Sequence, residues 1–139
     1  MFQDCTDIDE IDLSNFNTLG VIYFAHMFEG CSSVTSLNLS NIITTSATDI
    51  SYMFRYCSSL ISLYLSDFNT PQLQYTHYMF QGCSSLQSLN INNFDTSKVK
   101  YMRYMFDDCS NLNSLDLTHF RTSKVENMEY MFHGCSSLV

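Results

Sequence analysis

Apolar and polar positions along the chain recur with a single period. Met–Phe pairs stand at 1–2, 27–28, 53–54, 79–80, 105–106 and 131–132, each 26 residues after the last. Cys5, Cys31, Cys57, Cys83, Cys109 and Cys135 keep the same step, and so do Thr18, Thr44, Thr70, Thr96 and Thr122. Phe16, Ile42, Phe68, Phe94 and Phe120 form a fourth series in phase with these. No insertion breaks the register, so the repeat organises every local reading.

Each unit carries an L-x-x-L-x-L order, as at Leu60, Leu63 and Leu65 or Leu112, Leu115 and Leu117. Alternation of Leu115 and Leu117 with Ser114, Asp116 and Thr118 predicts a short strand with one dry and one wet face. Strands from successive units would stack in parallel, which requires a crossover in every unit. The spacing of Val125, Met128, Met131 and Phe132 predicts a short helix for that crossover. Thr70–Pro71 supports its start, with threonine as N-cap and proline at the first helical position. Gly30, Gly82 and Gly134 are read as left-handed helix ends, with Tyr56 and Asp108 in the same slot under strain. The first crossover, Leu19–Phe24, is β-branched and aromatic and suits a helix least.

Strand, turn, helix and turn in one such unit predict an α/β repeat, a leucine-rich-repeat solenoid with a parallel concave sheet and short convex helices. The whole of 1–139 is read as one domain of about five coils, near 5–30, 31–56, 57–82, 83–108 and 109–134, with partial ends. A parallel β-helix with all-strand coils is the structural alternative. The inward set of one coil is Leu86, Leu89, Ile91, Phe94, Val99, Met102, Met105 and Phe106. No unit buries its apolar face alone, so stacking supplies the core.

One cysteine per unit at one phase predicts a file of small buried thiols. Bridges between adjacent units are the alternative, although parallel Cβ vectors do not converge well on a disulfide. No C-x-x-C pair offers a zinc site, and Asp4, Asp7, Asp9 and Asp12 lack the glycine turn and terminal acid of an EF-type loop. Neither a metal nor any other cofactor is expected. His26, His77, His119 and His133 form no ligand cluster and read as surface or boundary residues. Tyr52, Tyr78, Tyr104 and Tyr130 share a phase with His26 and predict an aromatic column beside the crossover.

The charge is −8, with seven acids and no Lys or Arg in residues 1–54. Five of the six basic residues lie between Lys98 and Lys124. Such a chain repels phosphate backbones, so nucleic acid is not expected as a partner. No apolar run reaches the ~20 residues of a spanning helix, and the first residues lack the pattern of a secretory signal. Glycine-rich phosphate loops, paired acids at a cleft, and a nucleophile beside a base are all missing, so no enzyme is expected.

The wet strand face is the candidate partner-binding surface. Its residues are Asp12, Ser36, Asn38, Ser62, Tyr64, Ser66, Ser88, Asn90, Asn92, Ser114, Asp116 and Thr118. The recurrent serines at 36, 62, 88 and 114 suit hydrogen bonds along the stack, whereas the middle position varies. Tyr64, central and aromatic, is the best hot-spot candidate. Asn38-Leu39-Ser40 is a glycosylation sequon on this face.

The unit running from Leu115-Asp116-Leu117-Thr118-His119-Phe120 to Met131-Phe132-His133-Gly134-Cys135-Ser136-Ser137-Leu138 resembles the 26-residue repeat of BspA-like surface proteins. The likeness extends over all 139 residues and is weakest at 19–26 and 42–49. It implies a leucine-rich-repeat fold, display at the cell surface or outside the cell, and adhesion to a protein or glycan. The shared motif is all framework and implies no catalytic residue. A structural protein that stacks head to tail through uncapped ends is the alternative function.

Overall fold

The computed structural model describes all 139 residues as successive units laid one on the next. Regular secondary structure is sparse. Two three-residue strands, β1 (Ser62–Tyr64) and β2 (Ser88–Asn90), pair in parallel with Leu63 opposite Leu89. Of 66 backbone hydrogen bonds only two lie within strands, so turns and bonds between units carry the rest of the backbone.

The expected crossover helices are absent. Backbone N–H groups there alternate between two partners, and neither is the helical one. Phe54 donates to Met79 and Tyr56 to Gln81 in the next unit, while Met53 donates to Ile50, Arg55 to Tyr52 and Cys57 to Phe54. Each amide is thus satisfied either by a tight turn or by the neighbouring unit, which leaves none for an i−4 carbonyl. The pattern repeats at Phe28 and Gly30, at Phe80 and Gly82, and at Phe106 and Asp108. His26, Tyr52, Tyr78, Tyr104 and Tyr130 all have φ between 54° and 61°, a left-handed setting that ends any helix passing through them. Parallel bridges Tyr23–Asp49–Tyr75–Tyr101–Asn127 run across this side through five units, farther than the two-stranded sheet extends.

The helix signals have turn explanations. Leu73 N–H bonds the Thr70 carbonyl, so Pro71 occupies the second position of a β-turn, where its fixed φ is equally suited. Thr70 is buried and its hydroxyl accepts the Asp95 N–H of the next unit at 3.1 Å instead of capping a helix. Thr18 and Thr96 make the same link, to Ile43 and Arg121 at 2.7 Å. Apolar residues three, six and seven apart fall inside whether the chain turns as a helix or as consecutive β-turns.

The core itself matches its sequence pattern. Leu86, Ile91, Phe94, Val99, Met102, Met105 and Phe106 are all buried, and Leu89 packs against them half-buried. Phe2, Phe28, Phe54, Phe80, Phe106 and Phe132 stack in one column at 5.5–5.6 Å between ring centres. Each aromatic ring therefore packs chiefly on its own equivalent one unit away.

Candidate interaction surface

On the strand side, Ser62 lies opposite Ser88 and Tyr64 opposite Asn90. Asp12, Ser36, Asn38, Tyr64, Ser66, Ser88, Asn92, Ser114, Asp116 and Thr118 are exposed, and Ser62 and Asn90 are half-buried. All twelve positions are therefore accessible, but only those in β1 and β2 are joined by a sheet. The wide parallel sheet expected across every unit narrows to these two strands.

The middle position proves to be structural in four units out of five. Asp12, Asn38, Asn90 and Asp116 each accept, through Oδ1, the backbone N–H two residues on, at 2.8–3.1 Å. These are Asx turns, for which a short side chain with an oxygen suffices. The hydrogen bonds hold Asp12 below the usual carboxylate range, mainly through the Ser14 N–H. Asp116 is held down likewise, first by the Thr118 hydroxyl and then by its N–H. Tyr64 breaks the series: it makes no such bond and is 69% exposed. Nor do the serines at 36, 62, 88 and 114 bond along the stack. That role falls to the hydroxyls of Ser110 and Ser136, which reach the carbonyls of Ser84 and Ser110.

The opposite side holds more organised chemistry. His26, Tyr52, Tyr78, Tyr104 and Tyr130 stack at 4.5–4.9 Å, the column expected from their shared phase. Beside it runs a polar rail that the sequence reading did not single out. Gln3 donates to Glu29 at 3.0 Å, and Arg55 bridges Glu29 at 3.3 Å and Gln81 at 2.6 Å. Gln81 then donates to Asp107 at 2.7 Å, and Asp107 pairs with His133 at 2.7 Å. Donor and acceptor alternate from unit to unit, so the rail holds together only in this register. The sequence signal was available: positions 3, 29, 55, 81, 107 and 133 are all polar at one phase. His26 also bonds Glu29, at 2.6 Å, so two of the histidines read as surface or boundary residues belong to the rail.

Residues 1–88 and 61–139 match the family described as "Mycoplasma protein of unknown function, DUF285". The two matches together span the chain. It belongs to the DUF285 family. No curated protein matches it significantly. Among solved structures it is similar to a leucine-rich repeat protein from Eubacterium ventriosum, with 19% identity and a TM-score of 0.53. The likeness covers 82% of this chain and 27% of that one, so the chain spans about a quarter of that relative's length. A leucine-rich-repeat-like fold follows from it.

In this DUF285 chain all six cysteines are free. Each thiol from Cys31 to Cys135 donates to the carbonyl of a column phenylalanine in the preceding unit, Cys57 to Phe28 at 3.1 Å and Cys83 to Phe54 at 3.0 Å. Burial pushes the Cys57 thiol up to about 12 and raises Cys83 well above its ordinary value. The cysteines thus act as small core residues with one weak donor. Asp107, Asp108 and His133 place one potential metal-ligating atom each within 4.8 Å of one another. Both Asp107 oxygens already serve the rail, through Gln81 and His133.

Proposed function

We propose that this chain is an interaction module that holds a protein or glycan partner against its strand side, centred on Tyr64. Tyr64 carries the reading. Elsewhere in its series the side chain closes a turn, whereas this one is a large exposed aromatic with no internal bond. Aromatic residues of that kind dominate binding energy in interfaces. Ser62, Ser66, Ser88 and Asn90 surround it with small polar groups on the only stretch where adjacent units are joined by strand pairing. The resemblance of the repeat to BspA-like proteins supports adhesion and surface display as the setting. No helix of the chain is long and apolar enough to cross a membrane.

The test is retention of the chain on panels of immobilised glycans and extracellular-matrix proteins. The variant is Tyr64→Ala combined with Asp116→Asn, because asparagine preserves the Asx turn at that position. Retention should fall about tenfold or more, as for a hot-spot truncation, while the melting temperature stays unchanged. Undiminished retention would refute the site.

A further inference from the structure

A second surface, on the turn side, has the makings of a ligand site. Tyr75, His77, Tyr101, Arg103 and Asn127, drawn from three successive units, line an open cleft of about 280 Å³. The Tyr75 and Tyr101 rings stack at 5.8 Å and 7°, and Tyr75 meets the His77 ring edge-on. Ladder order places Asn127 after Tyr101, so one face of the Tyr101 ring looks toward a small polar residue instead of another ring.

Two polar groups of the cleft are under-used. Arg103 makes no ion pair and no hydrogen bond through its guanidinium, which rests 5.4 Å from the centre of the Tyr78 ring. Arg55, by contrast, is engaged by Glu29, Gln81 and the Tyr56 hydroxyl. The buried Nδ1 of His77 has no partner. Nearby acids are otherwise occupied: Glu126 accepts the Tyr101 hydroxyl at 3.0 Å, Glu129 is held by Asn127, and Asp49 by Ser51. Of the four clefts on the molecule, this one alone has a cationic side chain and no carboxylate among its lining residues, with Glu126 outside the lining on the Tyr101 hydroxyl.

From this juxtaposition we infer that the cleft binds one carboxylate-bearing sugar residue, a uronic-acid type unit. Arg103 offers its planar fork to the carboxylate. The tyrosine pair supplies apolar area for the ring of the sugar, and the second N–H of the Asn127 amide, whose Nδ2 and Oδ1 already engage Glu129, is left for one of its hydroxyls. A bare anion would leave the aromatic pair without a role. The cleft's size, just below the range of sites for larger ligands, suits a single ring. This site shares no residue with the strand side, so either can fail without the other.

Titration of the isotope-labelled chain with methyl glucuronide, followed by amide shifts, tests the inference. Saturable shifts are expected in 75–77, 101–103 and 127. Methyl glucoside, which lacks the carboxylate, should bind at least tenfold more weakly, equivalent to about 1.4 kcal/mol. Arg103→Gln should weaken glucuronide binding by a similar factor without altering the spectrum elsewhere or the melting temperature. The inference is overturned by unsaturable shifts, by equal responses to the two sugars or to acetate, by an unaffected Arg103→Gln variant, or by tighter binding of an acidic peptide.

Discussion

The ring of Tyr56 lies over the backbone of Gly82, where a Cβ would stand 2.9 Å from Cε1 and closer still to Cδ1. The two residues occupy the same slot in successive units, and both have positive φ, 59° and 73°. Asp4 covers Gly30 and Asp108 covers Gly134 in the same way. A side chain in one unit therefore folds onto a glycine in the next, and the slot alternates through the chain as Asp4, Gly30, Tyr56, Gly82, Asp108 and Gly134.

Gly82→Ala should destabilise the chain on two counts. Alanine at positive φ costs about 1–2 kcal/mol, and the collision with Tyr56 adds about 1–3 kcal/mol of overpacking. In a Tyr56→Ala background only the first contribution should remain. Urea unfolding of the four variants checks this, and an equal cost in both backgrounds would mean that the ring gives way freely.

The thiol file predicts protection from chemical modification. Cys57, Cys83 and Cys109 are buried, and burial raises all three thiols, so hardly any thiolate is present at pH 8. The half-buried Cys5 and Cys135 should react first with a thiol reagent. Mass spectrometry of the labelled chain should show the three central cysteines unmodified until denaturant is added. Early labelling of Cys83 would show that the units separate readily.

Arg55 ties two neighbours of the polar rail, and its side chain is 26% exposed against 10% for that of Glu29. Arg55→Ala leaves a nearly buried carboxylate with only Gln3 and His26, and should cost about 1–3 kcal/mol after allowing for solvent at the arginine end. Adding Glu29→Gln removes the stranded charge and should recover part of the loss. Additive effects of the two changes would show that the rail contributes no coupling.

His77 has its pKa lowered, chiefly by burial, with the Asp49 charge opposing. A histidine whose folded pKa lies below its unfolded value of about 6.5 binds fewer protons when folded. Its contribution is therefore intact above that pH and is lost as the pH falls toward the folded pKa. Thermal melts of the chain and of His77→Gln between pH 7.5 and 5 should converge on acidification, the variant losing less. Parallel pH profiles would remove His77 as a source of acid sensitivity.

Much of the architecture was legible because a stacked repeat makes each residue the neighbour of its own equivalent. Phe54 meets Phe28 and Phe80, and Tyr78 meets Tyr52 and Tyr104, so periodicity alone names the columns and the inward set. The polar rail has the same period, since Glu29, Arg55, Gln81, Asp107 and His133 share a phase, but recurrence of polarity alone does not say which of these side chains bond one another.

The chain by itself determined the period, the unit length and the membership of each column, because those depend only on which residues recur. Tertiary structure decided how each unit bends and what its polar side chains do. The spacing of Val99, Met102, Met105 and Phe106 is equally consistent with a helix and with successive β-turns. The choice rests on whether an amide such as that of Phe80 finds its carbonyl four residues back or at Met105 in the next unit. Likewise, Asn90 and Asp116 look like a variable position with no structural task until the Asx turns they close are seen, whereas Tyr64 closes none. Such partners lie far away in sequence or are set by local backbone angles, so a periodic pattern of residue types leaves them undetermined.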